Sequence, residues 1–191
     1  MRVLTHYVKW SLGLADAETQ TTPAERDCLA RHASGRHRVV EIGVWHGVTT
    51  KRLRTAMDPG GVLTAVDPFP SGRLGISLQE RIAHRELSTI PNGTVAWVRA
   101  TGADAARGHA SVDFVFIDGD HSEAGLLADW RAWSPLVETG GIVALHDSRS
   151  SRQRRIDDAG SVRVTNEVIL PDQRFELLDT VDTLTVLKRA R

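Results

Sequence analysis

The sequence predicts an α/β domain with a doubly wound sheet of seven strands, mostly parallel, that ends in an antiparallel hairpin. Two observations support this fold class. Short apolar segments alternate with helical segments along most of the chain, which is typical of parallel α/β sheets. A strand, a helix and a second strand follow one another within about 30 residues, which is the size of a βαβ unit. We therefore expect all 191 residues to form a single domain.

The first segment, residues 1–35, is predicted to be helical. Thr22 is placed to cap a helix, Pro23 suits its first turn, and Glu25 completes a capping box with Thr22. This helix is expected to run to the end of the segment. The single cysteine, Cys28, falls within it and is expected to be a small core residue, since the chain has no second cysteine for a disulfide.

Strands and helices then alternate. The predicted strands are short and either rich in β-branched residues or continuously apolar, as buried parallel strands are. Because βαβ crossovers are right-handed, consecutive strands are expected to lie in one sheet. We expect strands over 38–42, 62–67, 94–99, 112–117 and 142–145, and helices over 48–57, 76–87 and 123–136.

The C-terminal part breaks this alternation. Residues 148–158 are polar and carry four arginines, so the segment is predicted to be a mobile loop or lid. The arginines could close over an anionic substrate. However, a run of charged residues is usually a solvated surface, and we favour this interpretation. The same two interpretations apply to Arg73. A helix is expected over 162–169, and strands over 175–178 and 183–188 form the edge hairpin. The four arginines are Arg149, Arg152, Arg154 and Arg155.

Charge and hydropathy argue against several classes of partner. Lys plus Arg equals Asp plus Glu at 24 each, so no net field would draw the chain to nucleic acid. No apolar stretch approaches the roughly 18 residues that span a bilayer. The N-terminal segment has neither a sustained apolar region nor a small-residue cleavage site, so export is not indicated. We expect a cytoplasmic protein that binds neither nucleic acid nor membrane.

A glycine-rich turn follows the first strand. Glu41, Gly43 and Gly47 form an E-x-G-x-x-x-G pattern at the edge of the sheet where open α/β folds bind ligands. A dinucleotide loop would need G-x-G-x-x-G for the pyrophosphate, whereas an acidic residue before the loop suits a cationic ligand. Asp67 ends the second strand, where such folds place a carboxylate for both ribose hydroxyls. Alternatively, the carboxylates only face the loop and the glycines only allow its turns.

Acidic residues and histidines also follow two later strands. Asp118, Asp120 and His121 come after the strand over 112–117, and Asp147 follows the fifth strand. Ionised carboxylates that converge repel one another unless a cation shares the site, and oxygen ligands favour Mg²⁺. Histidine is the side chain best suited to take up a proton near neutral pH, so His121 could deprotonate a hydroxyl, although it could instead face solvent or begin the next helix. Asp120 could equally cap that helix.

Together these motifs resemble the class I S-adenosylmethionine-dependent methyltransferases from Val39 to about Lys188. The resemblance implies a Rossmann-like sheet and S-adenosylmethionine as the cofactor. It also implies that the Glu41 to Gly47 loop, with Trp45, holds the methionine part and that Asp67 holds the ribose. The remaining implied cofactor residues are Ala103 and Asp104, which flank the adenine, and Asp118.

The later motifs resemble a subgroup that includes macrolide sugar O-methyltransferases and cephalosporin-hydroxylase-like proteins. In metal-dependent members, the residues matching Asp118 and the pair His146 and Asp147 bind magnesium, and the one matching His121 deprotonates the substrate. Here His146 stands where a carboxylate is usual, and because an imidazole nitrogen also binds transition ions, these would compete with Mg²⁺ for the site. Alternatively, His146 has a packing role and binds no metal.

The expected function is therefore methylation of a hydroxyl on a sugar or another small secondary metabolite, assisted by a divalent metal. Asp118 and His121 are the expected catalytic residues. Substrate selection falls to the loops or to a second copy of the chain in a homodimer. A nicotinamide-dependent oxidoreductase and a non-catalytic S-adenosylmethionine-binding protein are the alternatives.

Overall fold

The computed structural model describes residues 2–72 and 75–191, so Arg73 lies outside the described residues. The helices are α1 (Arg2–Ser11), α2 (Pro23–Ala33), α3 (Val48–Ala56), α4 (Leu78–Ser88), α5 (Gly102–Ala105), α6 (Glu123–Trp133) and α7 (Gly160–Val164). The strands are β1 (Arg38–Ile42), β2 (Val62–Val66), β3 (Thr94–Val98), β4 (Val112–Ile117), β5 (Val137–Leu145), β6 (Phe175–Val181) and β7 (Leu184–Arg189). None of the helices in these ranges is both long and apolar enough to cross a bilayer.

The seven strands form one sheet in the order β3-β2-β1-β4-β5-β7-β6. The first five are parallel, and β7 pairs antiparallel with both β5 and β6. This confirms the predicted fold class, including the C-terminal hairpin. The strand order reverses between β1 and β4, and a doubly wound sheet opens a crevice beyond the carboxyl ends of the strands at such a point.

Helices cover both faces of the sheet. On one face α2 and α3 pack Cys28, Leu29 and Leu53, all fully buried, against the strands. On the other face α6 contributes Trp130 and Trp133, which are also buried. Cys28 is therefore a core residue, as predicted. The two layers hold the strand ends in fixed positions, so side chains at those ends can converge.

Several elements differ from the sequence prediction. Strand β6 runs to Val181 rather than to residue 178, and the helix expected over 162–169 is α7 followed by a π-helix over Thr165–Ile169. Strand β5 begins at Val137 rather than at Ile142, because its register shifts opposite Val112 and Gly140 takes a φ of 82° within the strand. The sequence prediction placed Gly140 in a turn before the strand, whereas in the structure it lies within β5 and permits a bulge there. Helix α5 was not predicted, since its four residues are too few for a helical period.

Candidate active site

A cavity of about 830 Å³ opens at the carboxyl ends of β1, β2 and β4. It extends from the glycine-rich loop after β1 to the segment after β4, which is the predicted edge of the sheet. Of the predicted site residues, Gly43, Trp45, Asp67, Ala103, Asp118 and His121 line it. The other predicted residues are not part of its wall; they are Glu41, Gly47, Asp104, His146 and Asp147.

Gly43 marks the closest approach of β1 to β4. Its φ is 91°, and a β-carbon built on it would lie 2.1 Å from the backbone oxygen of Asp118. Only glycine fits this conformation and this spacing. The glycine-rich loop and Asp118 are therefore in contact through backbone rather than through side chains.

Asp67 holds the glycine-rich loop in place. Its Oδ2 accepts hydrogen bonds from the backbone N–H groups of Val44 and Trp45, both at 3.0 Å, and its Oδ1 accepts one from Phe69 at 2.7 Å. The carboxylate also faces the cavity. The sequence indicated a ligand contact for Asp67 and, as the alternative, a position facing the loop; the structure gives the carboxylate contacts with the loop and a place on the cavity wall.

Glu41 lies behind the loop. Its side chain is fully buried, and neither carboxylate oxygen has a hydrogen-bond partner among the described residues. Burial raises the pKa of Glu41 well above its usual range, and the charges of Asp118 and Asp67 raise it further. A contact with Thr50 opposes the rise, but burial outweighs it and favours the neutral form of this carboxyl beneath the loop.

The predicted adenine end of the cavity contains a residue that the sequence analysis missed. Asp129 of α6 lines the cavity near Gly102 and Ala103 and is buried. Burial raises the pKa of Asp129 to about 6, and Asp120 adds to the rise, although the Ala103 backbone opposes it. Asp104, by contrast, is exposed, and its carboxylate accepts a hydrogen bond from Thr101 at the start of α5.

His121, in the segment after β4, also lines the cavity. Its Nε2 is 3.4 Å from Asp118 Oδ1 and 3.9 Å from Asp147 Oδ2, and the side chain is 36% exposed. The imidazole is thus both oriented by carboxylates and open to a ligand in the cavity. Asp120 accepts a hydrogen bond from the Ser122 N–H, so it supports the turn that leads into α6.

His146 is buried behind Asp118, between two carboxylates. Its Nδ1 lies 2.8 Å from Asp118 Oδ1, and its Nε2 lies 3.5 Å from Glu25 Oε2. Burial lowers the pKa of His146, but the two carboxylates outweigh this and raise it to about 10. Burial raises the pKa of Glu25, but contacts with His146, Thr22 and Thr183 lower it to about 2. In the absence of another cation, the proton on His146 balances the buried carboxylates.

Asp147 completes the acidic group. Its backbone has a φ of 48°, and its Oδ2 accepts a hydrogen bond from Arg154. Its Oδ1 is buried without a hydrogen-bond partner among the described residues and lies 3.8 Å from His146 Nδ1. One arginine of the polar 148–158 segment therefore points inward, which the charge pattern alone did not indicate.

Three groups in this site offer atoms suited to a cation. One ligand atom each from Asp118, His121 and His146 lies within 4.8 Å of the other two. Asp147 lies beside this group, so the predicted set of Asp118, His146 and Asp147 is also brought together. Mixed nitrogen and oxygen donors suit divalent transition ions as well as Mg²⁺.

The segment between α1 and α2 forms another part of the cavity wall. Glu18, Thr19 and Gln20 line the cavity beside Trp45. The Glu18 N–H donates to His46 Nδ1 at 3.1 Å, which ties this segment to the glycine-rich loop. Polar side chains from the N-terminal segment therefore face the same space as the predicted cofactor residues.

Comparisons with known proteins agree with this geometry. A family model for a methyltransferase domain matches residues 40–148. A Mycobacterium tuberculosis protein named as a probable O-methyltransferase is 31% identical over 157 residues, which cover 78% of this chain and 66% of that protein. The chain thus spans just under two thirds of the length of the curated relatives it matches.

Solved structures share the fold at low sequence identity. The O-methyltransferase TomG from Streptomyces achromogenes, in complex with S-adenosylmethionine, has a TM-score of 0.69 at 16% identity, covering 100% of this chain and 91% of that one. An O-methyltransferase from Bacillus cereus, in complex with S-adenosylhomocysteine, has a TM-score of 0.64 at 17% identity, covering 98% and 89%. With a family match over more than half of its length, the chain belongs to the methyltransferase domain family.

Proposed function

We propose that this protein transfers the methyl group of S-adenosylmethionine to a hydroxyl oxygen of a small molecule. One observation carries the proposal: a single cavity joins the glycine-rich loop and Asp67 to His121. A cofactor held at the loop and an acceptor hydroxyl at His121 would meet inside it. The M. tuberculosis relative and TomG, both named as O-methyltransferases, support the same chemistry.

The cofactor would lie along the carboxyl ends of β1 and β2. The loop backbone from Gly43 and the ring of Trp45 would face the methionine part, and the carboxylate of Asp67 would accept hydrogen bonds from the ribose hydroxyls. Asp67 keeps lone pairs for this, since a carboxylate offers about four acceptor positions and three are used by backbone N–H groups. Ala103 would contact the adenine.

His121 is proposed as the general base. Its Nε2 faces Asp118 and carries the ring N–H toward it, so Nδ1 takes the proton of the acceptor hydroxyl, and the hydroxyl oxygen forms a bond to the methyl carbon. The bond from that carbon to sulfur breaks, its electron pair stays on sulfur, and S-adenosylhomocysteine leaves. Asp118, 3.4 Å from His121 Nε2, stabilises the imidazolium that forms.

We further propose that Asp118, His146 and Asp147 hold a divalent cation, either Mg²⁺ or a transition ion. The residues fit such an ion because Asp147 Oδ1 is buried without a hydrogen-bond partner among the described residues, and the buried His146 Nδ1 faces the carboxylates of Asp118 and Asp147. His146 Nδ1 lies 2.8 Å from Asp118 Oδ1 and 3.8 Å from Asp147 Oδ1. When bound, the cation would lower the pKa of a nearby hydroxyl and orient it. The proton on His146 must leave before the nitrogen can ligate.

The acceptor class follows from the cavity wall. About 830 Å³ is within the range of small-molecule pockets, and the cofactor would fill much of it. Glu18, Thr19 and Gln20 offer polar atoms on the remaining wall, which suits a hydroxylated acceptor such as a sugar. A second copy of the chain in a homodimer could complete this wall.

The test is a calorimetric titration with S-adenosylhomocysteine, repeated with NAD, followed by a screen of hydroxylated acceptors. We expect S-adenosylhomocysteine to bind and NAD to give no heat. His121→Ala should retain S-adenosylhomocysteine binding and lose turnover, whereas the control His84→Ala, in an exposed ring stacked on Trp97, should keep both. Binding of NAD alone would favour an oxidoreductase, and unchanged turnover in His121→Ala would remove the proposed base.

A further inference from the structure

Glu25 is a buried carboxylate at the back of the reaction site. Its Oε2 accepts a hydrogen bond from the Thr22 N–H at 2.8 Å, which is the expected capping box at the start of α2. Its Oε1 accepts two more, from the N–H and the hydroxyl of Thr183 at 2.9 and 2.7 Å. A helix cap needs only the first of these contacts. The full burial of Glu25 therefore calls for a second role.

His146 supplies that role. Its side chain is 1% exposed, with Nε2 directed to Glu25 at 3.5 Å and Nδ1 directed to Asp118 at 2.8 Å. Because the three hydrogen bonds fix the Glu25 carboxylate, the imidazole has one favourable orientation, with its Nε2–H toward Glu25. Once the Nδ1 proton has left, the Nδ1 lone pair faces the carboxylates of Asp118 and Asp147.

We infer that Glu25 is a positioning residue, which orients His146 as a nitrogen ligand and thereby makes the proposed cation site selective for transition ions over Mg²⁺. Histidines that ligate metals usually donate their other ring N–H to a carboxylate, which fixes the ring and raises its basicity. Mn²⁺ accepts an imidazole ligand more readily than Mg²⁺, which prefers oxygen and water, and the later transition ions bind imidazole more tightly still. This inference rests on the cation site of the proposed function.

The experiment compares Mn²⁺ and Mg²⁺ affinities by calorimetry in the presence of S-adenosylhomocysteine. Wild-type protein should bind Mn²⁺ at least about tenfold more tightly than Mg²⁺. Glu25→Gln should weaken Mn²⁺ binding by roughly 10- to 100-fold and Mg²⁺ binding much less, because only the nitrogen ligand loses its support. The control Glu86→Gln, which removes the same charge outside the cavity, should change neither affinity.

S-adenosylhomocysteine binding separates the outcomes. If Glu25→Gln binds it normally and keeps the Mn²⁺ to Mg²⁺ ratio, Glu25 serves the helix cap alone and the inference fails. If both metal affinities and S-adenosylhomocysteine affinity fall together, the role is structural and the inference also fails. Should wild-type protein bind S-adenosylhomocysteine and turn over an acceptor but bind no divalent ion, the cation site and this inference fail while methyl transfer stands.

A second variant covers the case in which Glu25→Gln does not fold. Glu25→Asp keeps the charge and a capping carboxylate but withdraws it from His146 by one methylene. We expect the same selective loss of Mn²⁺ affinity. A Co²⁺ titration gives an independent signature, since the visible spectrum of bound Co²⁺ depends on its ligands: the spectrum of Glu25→Asp should differ from that of wild-type protein, and an identical spectrum would overturn the inference.

Discussion

Replacing Gly43 by alanine should weaken the fold at the point where the cofactor loop meets the reaction site. The new β-carbon would lie 2.1 Å from the backbone oxygen of Asp118 and 2.6 Å from its carbonyl carbon. Real β-carbons almost never come within 3.0 Å of such an atom, so β1 and β4 must separate by about an ångström at this point. The obstacle is backbone, so no side chain can rotate to relieve it.

Two costs set the magnitude. A non-glycine residue in the left-handed region costs roughly 1–2 kcal/mol, and Gly43 has a φ of 91°. Separating the strands also strains the hydrogen bond from the Asp118 N–H to the Ile42 oxygen, now 2.8 Å, whose loss costs about 1 kcal/mol. We therefore expect Gly43→Ala to lower the free energy of unfolding by about 2–3 kcal/mol, out of the 5–15 kcal/mol that is usual for a domain.

Gly140→Ala is the matched control. Gly140 has a φ of 82°, but a β-carbon there would meet no atom within 4 Å, so the variant carries the backbone cost alone. Urea denaturation followed by tryptophan fluorescence measures both variants. Gly43→Ala should lose more stability than Gly140→Ala and should also lose S-adenosylhomocysteine affinity. Equal losses in the two variants, with wild-type binding in Gly43→Ala, would refute the close approach of β1 and β4.

Three further substitutions test the site. Asp67→Ala should weaken S-adenosylhomocysteine binding in calorimetry, because the N–H groups of Val44 and Trp45 lose their acceptor; unchanged affinity would remove Asp67 from the site. Asp118→Ala should abolish metal-stimulated turnover and spare S-adenosylhomocysteine binding, and equal wild-type turnover in excess chelator would argue against the metal. Asp129 has a pKa of about 6 in the fold against 3.8 ordinarily, so between these values the folded state binds more protons and stability falls as pH rises. Wild-type protein should therefore lose up to about 3 kcal/mol of unfolding free energy between pH 4 and pH 8 that Asp129→Asn does not lose, as measured by urea denaturation at both pH values. If the difference between the two proteins is the same at both pH values, the Asp129 carboxyl ionises freely in the fold.

The sequence predicts most of the fold because the strands have local signatures. Apolar segments and glycine turns locate the five parallel strands and the hairpin, and parallel strand ends must meet at one edge. Asp67, Asp118 and His121 follow from this rule, and the structure brings all three to the cavity. The early start of β5 does not follow, because it depends on a register shift against β4.

The residues that were missed act through contacts that are distant in sequence. Glu25 already had a local explanation in the capping box, which concealed its contact with His146. In the sequence, Asp129 looks like any other polar residue of an amphipathic helix. Its burial follows only from the packing of α5 against α6. Arg154 differs from its neighbouring arginines only in facing Asp147. None of these contacts has a periodicity or a spacing that a sequence pattern could reveal.

The hydrogen bonds from Thr183 to Glu25 also bear on how the protein folds. They join α2 to the turn before β7 across 158 residues, so nearly the whole chain must be synthesised before they form. A nascent chain on the ribosome could assemble β1 to β4, and with them much of the glycine-rich loop, while Glu25 still lacks these two donors. The reaction site would therefore mature later than the cofactor pocket, and folding that depends on such distant pairs is slow.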